Sequence, residues 1–149
     1  MGEVLAAILG AIGGALAAFL GQAYYSIRSQ DIAHINDFIG DLERIERLSI
    51  EYWLRTKEVE PKDQGRTAAQ LRGALHASTM FLAVGPRLLA SDWSKFESLD
   101  GRLFDAATGG DFETTKQEPD PARVVEIMEC TNEIRSLLRG ARRKTYWAR

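Results

Sequence analysis

Between Glu3 and Arg28 the chain carries no charged residue, and this run sorts its small and bulky side chains onto opposite faces. Laid on a helix at 100° per residue, Ala6, Ala7, Gly10, Ala11, Gly13, Gly14, Ala15, Ala17, Ala18 and Gly21 share one side. Val4, Leu5, Ile8, Leu9, Ile12, Leu16, Phe19 and Leu20 take the other. An uncharged stretch of about 20 residues is long enough to cross a bilayer. A smooth Gly/Ala face lets such helices approach closely. Residues 1–27 therefore read as a single transmembrane helix with Ala6, Gly10, Gly13, Gly14, Ala17, Ala18 and Gly21 as its self-association surface.

Two other readings of the N-terminus fit less well. The Gly21-Gln22-Ala23 triplet resembles a small-x-small cleavage site, but Met-Gly-Glu lacks the basic n-region of a signal peptide. The apolar core is also longer than a signal peptide needs. N-myristoylation wants Ser or Thr where Ala6 stands.

The charges are unevenly placed. Ser26 to Leu138 hold 14 Lys/Arg against 20 Asp/Glu, whereas Arg139 to Arg149 hold five basic groups and no acid. The near-neutral total thus hides an acidic body with a basic tail. Arg28 after the span, against an N-terminal flank without Lys or Arg, places the C-terminal side in the cytosol of a bacterial-type inner membrane. Tyr24 and Tyr25 mark the headgroup level. The single cysteine, Cys130, excludes an intrachain disulfide and suits a reducing compartment.

Beyond the span the apolar period is helical almost throughout, which predicts an all-α fold: an antiparallel four-helix cytosolic bundle over 28–138 and a basic tail over 139–149. The first helix runs from about Gln30 to Lys57, with Ile35, Phe38, Leu42, Ile45 and Tyr52 at heptad positions and Ser49 as a small intruder. No Pro or cap separates it from the span, so one continuous rod is allowed. Thr67 followed by Gln70 reads as a capping box for the second helix, whose stripe is Leu71, Leu75, Ser78, Leu82 and Leu89. Pro86 should kink or end it. Ser91 caps a third helix through Trp93, Phe96, Leu99, Leu103 and Phe104, which stops at Gly109-Gly110. Asp120-Pro121 opens the last, through Val124, Ile127, Met128, Thr131, Ile134 and Leu138.

Antiparallel order returns the last helix to the membrane. Arg139, Arg142, Arg143, Lys144 and Trp147 then meet anionic lipid, each basic group gaining about 1 kcal/mol there. Nucleic acid is a weaker partner for this tail, since five positive groups on an acidic body give only salt-sensitive contact. At the far end Gly109, Gly110, Asp111, Phe112 and Glu113 form a candidate partner loop, with open backbone amides and Phe112 as an apolar anchor. Its plainer reading is a helix stop and a turn. Asp111, Glu113, Glu118 and Asp120 do not have EF-hand spacing.

Catalytic patterns are not found. His34 and His76 lie on different helices, Cys130 has no convincing His partner, and no phosphate loop, dinucleotide fingerprint or nucleophile elbow is present. The reading is a non-enzyme without a cofactor or metal. The span is only marginally apolar: eight Leu, Ile, Val and Phe contribute roughly −2.4 to −4.8 kcal/mol of insertion energy before Gly and Gln22 subtract. Partner helices would help to hold it in place. A small-residue arc covering half the helix suits a ring, in which each helix touches two neighbours. The overall plan is similar to that of holins, toxins and membrane-acting defence effectors, although no family motif is present. The expected function is a homo-oligomer that perturbs or permeabilises the membrane, in concert with lipid and with a separate cytosolic sensor or partner. The alternative is a membrane-tethered adaptor whose bundle binds a cytosolic protein.

Overall fold

The first helix runs unbroken for 52 residues, α1 (Gly2–Trp53). The computed structural model describes residues 2–55, 61–110, 112–114 and 118–147, with the side chains of 3–8, 61, 62, 146 and 147 outside that description. After α1 come α2 (Pro61–Ser78), a 3-10 turn (Thr79–Ala83), α3 (Gly85–Leu89), a second 3-10 turn (Ala90–Asp92), α4 (Trp93–Thr108) and α5 (Pro121–Trp147). No strand occurs among the described residues.

The all-α bundle is as expected. Its long members are the C-terminal part of α1 with α2, α4 and α5; α1 packs against both α2 and α5, and α4 against α5. Asp120 N donates to Trp53 O at 2.9 Å, while Arg142 on the last turns of α5 reaches Asn36. The two helices are therefore antiparallel, and the C-terminal end of α5 lies level with the Asp31–Asn36 stretch of α1. At 1.5 Å per residue, the part of α1 before Asp31 extends roughly 45 Å.

Among the described residues no helix is long and apolar enough to cross a membrane. The transmembrane assignment of 1–27 thus finds no support there; the side chains of Val4–Ile8, which belong to the uncharged run, lie outside the description.

The core is built from the expected stripes. Ile35, Phe38, Leu42, Ile45, Tyr52, Leu71, Phe96, Leu99, Leu103, Val124, Ile127, Ile134 and Leu138 are all buried. Phe38 stacks on Phe81 with centroids 4.4 Å apart, and Phe96 packs on both and on Trp93. At the other end Tyr52, Trp53 and Phe112 form a second aromatic group. Ser49 is fully buried, and its hydroxyl finds no partner among the described residues.

Several boundaries differ from the sequence reading. Helix α2 opens at Pro61, six residues before the expected capping box, with Asp63 in its first turn. Proline is at ease where the amide has no intrahelical partner. Thr67 is consequently inside the helix, its hydroxyl donating to Asp63 O at 3.1 Å and lying 3.2 Å from Glu51 Oε1. The second helix breaks at Ser78, not Pro86; Pro86 instead sits in the first turn of α3, which opens at Gly85. The tighter 3-10 winding turns Phe81 into the core and leaves Leu82 exposed. Phe104 is also exposed, because α4 turns it away from α5. Ser91 lies in a 3-10 turn; Asp92 occupies the position before α4, without a side-chain capping bond. The basic segment 139–147 is not a separate tail but the last turns of α5, with Ala141 buried.

Candidate membrane and self-association surface

The N-terminal half of α1 has a surface that nothing else in the described chain covers. Leu16 is 61% exposed, Phe19 68% and Tyr25 70%, and Leu9, Ile12, Leu20, Tyr24 and Ile27 are similarly open. On the opposite side, a Cβ added at Gly10, Gly13, Gly14 or Gly21 would meet no atom within 4 Å. Ala17 and Ala18 are exposed on the same side, and the side chain of Ala6 lies outside the described residues. From Leu9 to Ile27 the described residues of both faces read from the sequence lie largely open on one helix. Monomeric soluble proteins rarely leave an apolar area of this extent open. Tyr24 and Tyr25 meet edge to face at 6.0 Å where the run ends.

At the foot of this rod the bundle presents charge. Arg87 forms a two-point pair with Asp31, its guanidinium held above the ordinary arginine value mainly by the hydrogen bond to that carboxylate. Lys144 pairs with Asp92 at 3.0 Å. Arg142 Nη1 donates to the neutral amide oxygen of Asn36 at 3.0 Å, and the side chain forms no ion pair among the described residues. Arg139 and Arg143, four residues apart on α5, have no ion pair among the described residues. These three arginines line an open groove of about 860 Å³ between α1 and α5, with Ile32, Asn36 and Ser136. The sequence reading groups the arginines with Lys144 and Trp147. The structure separates Lys144 from them by its pair with Asp92, and the side chain of Trp147 is not described. Ser136 shares the α5 face with Arg139 and Arg143 at helical spacing, whereas Ile32 and Asn36 join the site only through the register of α1 against α5, which no local pattern reveals.

The distal loop is fastened rather than open. Arg123 lies 4.7 Å over the Trp53 ring and donates to the carbonyls of Asp105 and Ala106, closing the C-terminal end of α4. Gly110 has φ +65°, a backbone conformation that favours glycine, and a Cβ there would stand 2.6 Å from the Arg123 guanidinium and push it aside. Phe112 is half-buried against Tyr52 and Trp53 and so does not stand out as an anchor. Glu113 pairs with Arg72 at 2.9 Å, and its amide donates to Tyr52 Oη at 2.7 Å. Asp111 lies outside the described residues.

Beside that loop, α2 and α4 leave a groove of about 570 Å³ with Leu75, Phe104 and Phe112 on its walls and Asp100 and His76 at its edge. Burial holds the Asp100 carboxyl above its usual range. Cys130 is buried and, mainly for that reason, its thiol is held above the ordinary value, away from the nucleophilic thiolate. No group of three or more His, Cys, Asp or Glu is placed to hold a metal ion among the described residues. Comparison with protein-family models, curated proteins and solved structures finds no match in any of the three.

Proposed function

We propose that this chain is a membrane-anchored helical protein that self-assembles through the Gly/Ala face of α1 and perturbs the bilayer. The observation that supports it is the uncovered rod: an uncharged run from Val4 to Ile27 on an unbroken helix, bulky on one side and smooth on the other. Lipid tails cover a bulky apolar face without cost, and glycine lets a second backbone come close. A smooth arc about half the helix wide accommodates two neighbours, which favours a ring over the narrow seam of a single dimer. The bundle then stands on the cytosolic side as the part that a trigger acts on.

Induced expression in a bacterial host tests this. The wild-type chain should depolarise the inner membrane, and Gly10→Leu with Gly14→Leu should abolish depolarisation while the protein still sediments with membranes. Leucine strengthens the apolar character of the run, so loss of activity would isolate helix–helix contact from anchoring. Unchanged depolarisation by the double variant would refute assembly through this face.

A second reading has support in the α2/α4 groove, whose apolar walls suit one side of an amphipathic helix from a cytosolic protein. In that adaptor reading membrane potential stays unchanged on expression, and the protein still works with an unrelated span in place of residues 4–25.

A further inference from the structure

We infer that the groove between α1 and α5 at the foot of the rod binds the phosphate of an anionic lipid headgroup. The inference rests on the membrane reading above and adds a ligand class and a site to it. Three guanidinium groups, Arg139, Arg142 and Arg143, line one groove. Their neighbours are disposed differently: Arg135 is paired with Glu46, Arg87 with Asp31 and Lys144 with Asp92. These nearby cations already have carboxylate partners, whereas Arg139, Arg142 and Arg143 form no ion pair among the described residues, although Arg139 also lines the adjoining groove that holds Glu43 and Glu46. The first groove's remaining polar side chains, Asn36 and Ser136, are neutral, and no carboxylate lines it among the described residues. Such a site selects an oxyanion, and guanidinium matches phosphate oxygens two at a time.

The position argues for a lipid as the source. Ile32 on the groove wall follows the last residue of the uncharged run, Ile27, by five residues, about 7.5 Å along the helix. An acyl chain lying along the rod would carry its phosphate to that height. The asparagine contact contributes too: Asn36 holds Arg142 in place without neutralising it. A basic tail attracted only by long-range charge would need no such groove.

The test uses the full chain in neutral detergent micelles, titrated with short-chain phosphatidylglycerol, short-chain phosphatidylcholine and inorganic phosphate, with binding read by calorimetry. Insertion is scored separately, as resistance to carbonate extraction from phosphatidylcholine vesicles. Phosphatidylglycerol should bind saturably and phosphatidylcholine should not, with inorganic phosphate at least about tenfold weaker. At about 1 kcal/mol per basic residue, Arg139→Gln with Arg143→Gln should weaken phosphatidylglycerol about 30-fold. Lys95→Gln with Arg102→Gln removes the same charge from α4 and should leave binding within about twofold. Equal losses in the two double variants would overturn a built site in favour of diffuse attraction. Inorganic phosphate binding as tightly as the lipid would overturn the lipid source. Carbonate-extractable protein that still binds phosphate in the groove would refute the membrane reading and the lipid source together. Carbonate resistance without phosphatidylglycerol binding would refute this inference alone.

Discussion

Replacing Glu46 by alanine should destabilise the bundle more than any surface charge on it. Glu46 on α1 faces Arg135 on α5, and their side chains retain only 17% and 13% of their exposure. The carboxylate accepts from the Arg135 guanidinium, with the Thr131 hydroxyl 3.4 Å away. Arg135 has one further acceptor, Asn132 Oδ1 at 3.2 Å, and its Nε has none among the described residues. Without Glu46 a mostly buried cation is left with a single amide oxygen. Exposed pairs contribute about 0–1 kcal/mol, whereas removing one partner of a fully buried pair costs about 3–5 kcal/mol. The residual exposure here places the Glu46→Ala cost at about 2–3 kcal/mol, or roughly 10 °C in Tm for a domain of this size.

The penalty comes from the stranded charge and not from lost attraction, so a double replacement should recover most of it. Glu46→Met with Arg135→Met puts apolar groups of similar length on both sides and should fall within about 1 kcal/mol of the wild type. Thermal unfolding of the full chain in neutral detergent, followed by far-UV circular dichroism for the wild type, both single variants and the double variant, gives the whole cycle. A Glu46→Ala cost below about 0.5 kcal/mol would mean the pair behaves as a surface pair. A double variant as unstable as the sum of the singles would refute the stranded-charge explanation.

Two further outcomes concern the bundle. Burial raises the Asp100 carboxyl above its unfolded value, so the folded chain takes up a proton more readily than the unfolded one and loses stability as pH rises through that window. Asp100→Asn should therefore raise Tm at neutral pH, with the gain shrinking as pH falls towards about 4, in thermal melts across that range. Gly85→Ala should cost about 1–3 kcal/mol, because the new methyl runs into the Trp93 ring and Phe81 lies close behind it; the unfolding midpoint, with Trp93 environment followed by fluorescence, checks it.

The helix inventory was legible because each signal was local. The heptad stripe from Ile35 to Tyr52, the Gly109-Gly110 stop and the Asp120-Pro121 start all act within a turn or two of chain, and Asp120 Oδ1 indeed accepts from Arg123 N at 3.1 Å. What misled was chemistry shared between two structures. Thr67 and Gln70 fit a capping box as a pattern, yet the Thr67 hydroxyl is engaged by Asp63 O on its own helix and lies near Glu51 of α1. The 3-10 turn before Pro86 has no sequence mark of its own, so the rotation that buries Phe81 and exposes Leu82 is set by packing against Phe38 and Phe96. The basic groove has a similar origin. Its arginines are adjacent in sequence, but Asn36 and Ile32 reach them across about a hundred residues of chain.

The two halves of α1 follow different rules, and the difference bears on the proposed function. From Asp31 to Trp53 the outward face carries Asn36, Asp37, Glu43, Arg44 and Arg47, as water requires, while the inward face meets α2 and α5. From Val4 to Ile27 the face opposite the bulky residues carries glycine and alanine instead of charge. A helix meant for water gains nothing from that arrangement: glycine weakens it by about 1 kcal/mol per residue relative to alanine, and exposed leucine and phenylalanine add no solubility. Both choices become favourable at once when the solvent is apolar and the smooth face receives another helix. The change occurs between Ile27 and Asp31, level with the end of α5 and the groove that holds Arg139, Arg142 and Arg143. Under the proposed membrane reading, a boundary between two solvents at that height would account for the composition of both halves and for the placement of the three arginines.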